Sequence, residues 1–224
     1  MTALHEVLVS SRNRGKLAEF GALLAALPLR VVSAAERGVP EVDETGTTLE
    51  QNACLKAAAA YCVSPGVCIA DDSGLFVDAL DGAPGVYSAR FAGPDVTYED
   101  NNRELLRRLS GIPTSERGAA FVSVMALMIP TAMAREAGVP LIPSPNDVHV
   151  PDDAALFLVE GRVQGRITEE VRGVGGFGYD PIFHVTAVGQ TYAEMDSTAK
   201  NKLSHRALAL ARLRSQLEAL FLKR

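Results

Sequence analysis

Of the chain's 224 residues only three are cysteine and four are histidine. Cys54, Cys62 and Cys68 form no C-x-x-C pair, and an odd number leaves no complete disulfide framework, so reduced thiols in a cytoplasmic protein are expected. The histidines are scattered without ligand spacing, so no zinc site is expected. A basic excess is also missing: 22 Lys and Arg against 27 Asp and Glu give a net charge of −5, which argues against a protein that coats nucleic acid. The first ten residues lack a basic segment followed by a long apolar one, so no secretory signal is read. Gly118 to Ala134 carries no charge, but Pro130 breaks it, Ser123 and Thr131 dilute it, and Phe121, Val122, Val124 and Ile129 favour a buried strand over a membrane span. Neither nucleic acid nor a membrane is expected as a partner.

Two nucleotide-binding signatures fail as well. The P-loop pattern G-x-x-x-x-G-K-[ST] is absent. Gly173-Val174-Gly175-Gly176-Phe177-Gly178 does match G-x-G-x-x-G, but Tyr179-Asp180-Pro181 follows where a dinucleotide fold needs a helix, and that reading is rejected. Glycines here instead let the backbone approach a ligand while Phe177 offers a stacking face.

What is present is an ordinary globular composition, 47% hydrophobic and 22% charged, in a chain long enough for one domain with a lobe. Val67 to Ala70 reads as a short buried strand that stops in Asp71-Asp72-Ser73-Gly74, a turn-like string placing two carboxylates at a strand end. Adjacent carboxylates repel unless a cation or proton lies between them, so a divalent metal fits, as does a plain Asx-type turn. Upstream, Glu6 to Ser10 is a strand, Ser11-Arg12-Asn13-Arg14-Gly15-Lys16 a polar loop, and Leu17, Phe20, Leu24 and Leu27 mark a helix. Three basic residues at a helix N-terminus suit a phosphate, or are simply a solvated loop.

Leu29 to Val32 reads as a second strand, followed by an acidic turn over 41–46. Thr47 with Glu50, and Thr48 with Gln51, offer overlapping capping boxes for a helix to about Cys62, on which Asn52 and Lys56 share a polar face while Leu49, Ala53 and Ala57 point to the core. A glycine-rich loop covers 77–93, and Thr97 caps a helix to about Leu109 that reads as scaffold only. Gly118 to Ile129 is the long central strand, and the Pro-rich stretch 130–153 reads as an extended loop or flap. Ala154 to Val159 and Arg162 to Ile167 suggest a hairpin about Glu160-Gly161. A final helix is expected over Thr198 to Leu222, with a seam of Leu203, Leu210, Leu213, Leu217 and Leu220 inside and Lys200, Lys202, His205 and Arg206 in its first turns.

In order along the chain, the 11–16 loop, Glu44-Thr45-Gly46 with Glu50, Asn52 and Lys56, Ala70-Asp71-Asp72-Ser73-Gly74-Leu75, Gly82-Ala83-Pro84-Gly85, Gly176-Phe177-Gly178-Tyr179-Asp180-Pro181, and Lys200 with Ser204-His205-Arg206 resemble the inosine/xanthosine triphosphate pyrophosphatase family. The resemblance implies an α/β, ITPase-like fold over 1–224: one domain with a long curved mixed sheet between two lobes, flanking helices and a cleft active site. It also implies a cytoplasmic homodimer that uses Mg²⁺ to cleave ITP, dITP and XTP to the monophosphate and pyrophosphate, cleansing the nucleotide pool. On the matching positions, Ser11, Arg12, Asn13, Arg14, Gly15, Lys16 and Lys56 would hold the triphosphate, and Glu44 and Asp72 would bind the metal. Asp72 would also activate water. Ser73 would contact substrate, Phe177 would stack on the purine with Gly178, Tyr179 and Asp180 alongside, and Lys200, His205 and Arg206 would contact the base. Asp71 would either support the metal site or cap the turn.

The chemistry is consistent with those residue types. Pyrophosphate departure needs cations for the developing charge and a carboxylate to orient water. Hypoxanthine and xanthine carry oxygen at C6, which suits donors such as Arg206 and His205, whereas adenine's amino group would leave those donors unpaired. Guanine shares that oxygen, so its exclusion must act on the 2-amino group. A Maf-like pyrophosphatase of other base preference is argued against by the 177–180 and 204–206 elements. A catalytically silent nucleotide-binding protein is argued against by the joint presence of Asp72, Lys16 and Glu44.

Overall fold

A computed structural model describes residues 4–139 and 148–222. In chain order the strands are β1 (His5–Val9), β2 (Leu29–Ser33), β3 (Cys68–Val77), β4 (Pro84–Gly85), β5 (Gly118–Pro130), β6 (Ala154–Ile167), β7 (Phe183–Val185) and β8 (Gln190–Thr191). The helices are α1 (Arg14–Leu24), α2 (Leu49–Val63), α3 (Tyr98–Arg108), α4 (Thr131–Ala137), α5 (Ser197–Leu203) and α6 (His205–Phe221). Among the described residues the strand order is β2-β1-β3-β5-β6-β7-β8, with β4 paired to β3, which makes the mixed sheet of an α/β protein. The chain forms two compact units, one from Met1–Asp72, Val124–Gly161 and Ala209–Arg224, the other from Ser73–Ser123 and Arg162–Leu208.

In the first unit β1 runs parallel to both β2 and β3, which requires crossover connections. Helix α1 supplies one of them and buries Phe20 and Leu24. Its core gathers Val7, Val9, Ile69, Met125, Leu127, Ile129, Leu213 and Leu217. In the second unit a separate core contains Leu75, Leu105, Leu109, Phe121, Ile182, Phe183 and Tyr192. Helix α2 starts at Thr48 with the Thr48–Gln51 capping box; Thr47 donates to Gln51 Oε1, so its own box with Glu50 does not form. Leu49, Ala53 and Ala57 are buried as their stripe predicts.

Four expectations are corrected. Asp71-Asp72-Ser73-Gly74 is not a turn at a strand end, because it lies inside the ten-residue β3, which continues to Val77. Leu75 and Phe76 pair antiparallel with Gly85 and Pro84, and a Cβ on Gly74 would lie 2.5 Å from the Gly85 carbonyl oxygen, so glycine serves close strand packing there. Residues 154–167 form one strand of 14 residues rather than a hairpin. A two-residue hairpin turn needs positive φ, which Gly161 does not adopt. The 130–153 stretch is not all loop: Thr131–Ala137 is helical, ended by Gly138 at φ 67°. Pro140, Pro143 and Pro145 lie outside the described residues. The C-terminal helix is two helices, because Ser204 adopts an extended conformation after α5 and its hydroxyl accepts from Ala207 N at 3.1 Å to open α6. Leu203 therefore leaves the seam and is exposed, while Leu210, Leu213 and Leu217 are buried.

Candidate active site

The first unit gathers the acidic and basic residues in a chain of short contacts. Asn13 caps α1, its Oδ1 accepting from Lys16 N at 3.1 Å, which orients the first turn. Lys16 then reaches β3, where its Nζ lies 2.6 Å from Asp71 Oδ2. Successive strand residues face opposite ways, so Asp72 meets a different partner. Lys56 Nζ lies 2.6 Å from Asp72 Oδ1 and 2.7 Å from Glu44 Oε1. One ammonium thus joins two carboxylates that are 28 residues apart in sequence (72 − 44).

Asn52 completes this group. Its Nδ2 donates to Asp72 Oδ2 at 3.4 Å and its Oδ1 accepts from Gly46 N at 2.8 Å, tying the acidic turn to α2. A side chain on Gly46 would collide with that amide, its Cβ only 2.6 Å from Asn52 Oδ1. Burial raises the Asp72 carboxyl above its ordinary value, with the Lys56 ammonium opposing and the Glu44 charge adding to the rise. Burial alone would lower Lys56, but the Asp72 and Glu44 carboxylates outweigh it and the ammonium is held upward.

The rest of the 11–16 loop divides by role. Ser11 Oγ accepts from Asn13 N at 3.2 Å, and Arg12 Nη2 donates to the Val39 carbonyl at 2.8 Å. Arg14 is exposed at the first position of α1, beside Gly15.

The second unit gathers an aromatic and cationic group. Asp180 is buried, and its Oδ2 accepts from Phe177 N at 2.7 Å and from Lys200 Nζ at 2.6 Å. Gly176 has φ 75°, and a methyl on it would overlap the Asp180 carboxylate, so the close approach requires glycine. The half-buried Phe177 ring has Lys200 Nζ 4.7 Å and Arg206 Cζ 5.3 Å from its centroid. Arg206 Nη2 also donates to Ser73 Oγ at 3.4 Å. His205 is buried and stacks on Phe121, with centroids 4.7 Å apart and planes 6° from parallel. Tyr179 turns inward, its hydroxyl donating to Ser88 O at 3.0 Å, and burial pushes its pKa up.

Ser73, Phe177, Asp180, Lys200 and Arg206 are thus brought together in one unit, and Lys16, Glu44, Lys56, Asp71 and Asp72 in the other. Sequence reasoning missed Asn102 of α3, whose Nδ2 donates to Gly178 O at 3.0 Å, and Tyr98, whose ring lies 6.2 Å from that of Phe177. The dinucleotide reading stays rejected: 171–182 contains no regular helix. Among the described residues no group of three or more His, Cys, Asp or Glu side chains could hold a metal ion, so any cation here depends on the Glu44 and Asp72 pair with oxygens from a ligand or water. No helix among the described residues is long and apolar enough to cross a membrane.

Known proteins resemble this chain along most of its length. A dITP/XTP pyrophosphatase of Xanthomonas oryzae pv. oryzae is 45% identical over 219 residues, 98% of this chain and 100% of the relative. A solved HAM1 protein from Coxiella burnetii is 37% identical with a TM-score of 0.78, covering 95% of this chain and 98% of that one. The Staphylococcus aureus Ham1 protein is 35% identical with a TM-score of 0.74, covering 95% and 98%. The model of the Ham1 family matches residues 7–216, and with relatives this similar along nearly its whole length the chain belongs to that family.

Proposed function

We propose that this protein is a nucleoside triphosphate pyrophosphatase that hydrolyses deaminated purine nucleotides, ITP, dITP and XTP, to the monophosphate and pyrophosphate. The observation that carries the reading is Lys56, whose ammonium is held between Glu44 and Asp72 at 2.7 and 2.6 Å. Two hard carboxylate oxygens converging on one cation are what Mg²⁺ takes from a protein when substrate phosphates and water supply the remaining ligands. The donor set therefore fits the metal, with Glu44 and Asp72 as its holders. When bound, Mg²⁺ would supply charge neutralisation at the phosphates.

In this reading Lys16, Glu44, Lys56 and Asp72 serve the triphosphate, and Phe177, Lys200 and Arg206 serve the base. Asp72 takes the proton of the attacking water; oxygen bonds to the α-phosphorus, the α–β bridging bond breaks, and pyrophosphate leaves with its charge met by Lys16 and Lys56. A carboxyl raised by burial is a stronger base than an exposed one, which suits that task. Phe177 stacks on the purine while Lys200 and Arg206 supply donors for the C6 oxygen. Since Asp180 accepts from both Phe177 N and Lys200 Nζ, its part is to orient these two. The names of the relatives support the substrate class. One ITPase-like domain over 1–224, a homodimer, a cytoplasmic location and a role in cleansing the nucleotide pool complete the reading.

The test is a substrate panel with Mg²⁺. ITP, dITP or XTP should yield monophosphate and pyrophosphate far faster than ATP or GTP do. Release of orthophosphate, or equal rates on all five, would overturn the assignment.

A further inference from the structure

Helix α3 sends polar side chains to loops as well as leucines to the core. The Thr97–Asp100 capping box fixes where it starts and hence where its first turns point. Asn101 is fully used: its Oδ1 accepts from Ala92 N at 2.8 Å and its Nδ2 donates to Ala89 O at 3.1 Å. Asn102 is half used. Its Nδ2 donates to Gly178 O at 3.0 Å, and its buried Oδ1 has no hydrogen-bond partner among the described residues. A carbonyl can only accept, so the amide nitrogen must be the end that faces Gly178.

This half-used amide separates two explanations. A side chain serving stability gains modestly from one neutral hydrogen bond and loses comparably by burying an acceptor unpaired. An apolar side chain of similar size would bury no unpaired acceptor of its own and would give up only the bond to Gly178 O. A side chain that holds a loop in place needs only the one bond. Asp180 accepts from Phe177 N, the Tyr179 hydroxyl donates to Ser88 O, and backbone bonds join Gly175 N to Ala193 O and Ala193 N to Asp180 O. Asn102 adds a tether at Gly178, the residue directly after Phe177, where φ is 63°.

We infer that Asn102 is a positioning residue for base recognition: its hydrogen bond to Gly178 sets the orientation in which Phe177 presents its ring to the purine. The inference rests on the proposed stacking role of Phe177, and the experiment separates the two. The chain contains no tryptophan, so Phe177→Trp introduces a single emission reporter at the stacking position. Quenching of its emission by inosine monophosphate is expected; no quenching, together with no nucleotide binding in calorimetric titration of the Phe177 protein, would overturn the stacking role itself. With quenching in hand, adding Asn102→Leu should weaken the apparent affinity by about tenfold, which corresponds to about 1.4 kcal/mol. Asn102→Asp, which keeps the shape and removes the donor, should weaken it equally. With Phe177 intact, Asn102→Leu should raise KM for ITP and leave kcat within about twofold. Unchanged affinity in either Asn102 variant would overturn the positioning role while leaving the stacking role standing. So would a melting temperature lowered by more than about 10 °C, which would assign Asn102 to stability instead.

Discussion

Asp71 and Asp72 are neighbours in β3, yet each closes on a different lysine: Lys16 Nζ lies 2.6 Å from Asp71 Oδ2 and Lys56 Nζ 2.6 Å from Asp72 Oδ1. The strand pleat causes the division, since consecutive side chains leave opposite faces. A pair that reads as symmetrical in sequence therefore does two jobs. Asp72 shares its cation with Glu44 and accepts from Asn52 Nδ2, and Asp71 anchors the first turn of α1 through Lys16.

Neutral isosteres should separate those jobs. Asp72→Asn is expected to lower ITP turnover by about 10³, the scale of a lost general base, while nucleotide binding is largely kept. Asp71→Asn removes a fully buried carboxylate from Lys16, whose side chain is 17% exposed, and should lower unfolding stability by about 1–3 kcal/mol with turnover reduced less than about tenfold. Steady-state rates and urea unfolding on both proteins decide it. Equal loss of turnover in the two would remove the distinction.

The pH dependence follows from the same pair. Burial raises the Asp72 pKa in the folded protein, so the fold favours its protonated form, and its contribution to stability is present at low pH and lost as pH rises through the raised value. Lys56 is also raised, against its own burial, so its stabilising charge is complete below the ordinary lysine range and lost only above it. Neither group destabilises the fold on mild acidification, but the catalytic carboxylate is lost. In the metal-free protein the Asp72 carboxyl should therefore titrate above the ordinary carboxylate value of about 4 when followed by carbon-13 NMR, with far-ultraviolet circular dichroism unchanged across it. A titration at or below that value, or ellipticity lost in step with it, would contradict this.

Elements with local signals were readable from sequence: the caps at Thr48 and Thr97 and the uncharged run that became β5 are decided within a few residues. The errors fall where distant pairing overrides local preference. Asp-Asp-Ser-Gly favours a turn, but pairing of Leu75 and Phe76 with β4 and the two lysine contacts keep it extended. Helix α4 did have a local signal, Pro130 before it and Gly138 after it, which the proline count outweighed. Asn102 could not be seen at all, because its partner lies 76 residues away and nothing near it marks it as more than a helix residue.

Cysteine reactivity should follow burial. Cys54 and Cys68 are buried, and desolvation pushes both thiols up to about 12, so at pH 8 only about one molecule in 10⁴ carries either thiolate. Cys62 is exposed on α2. A chromogenic thiol reagent should titrate one thiol quickly in the native protein and three after denaturation, and Cys62→Ser should abolish the fast phase. Fast reaction of two thiols in the native state would place Cys54 or Cys68 nearer to solvent than the fold allows.

Arg117 offers the sharpest test of the second unit's fold. It is buried, and its guanidinium donates to three carbonyls: Ile112 O from Nε at 2.8 Å, Thr168 O from Nη1 at 3.0 Å and Leu109 O from Nη2 at 2.9 Å. The planar fork therefore ties the end of α3 to the segment after β6. Arg117→Met keeps the apolar stem and strands all three acceptors, which at about 1 kcal/mol or more apiece should lower stability by roughly 3 kcal/mol. For a chain of this size that corresponds to a fall in melting temperature of about 6–12 °C. Arg117→Lys restores the charge at one point but cannot span three acceptors, so it should recover less than half of the loss. Thermal and urea unfolding of the three proteins measure this directly. A lysine variant as stable as the parent would mean that charge alone, and not the fork, holds the segments together.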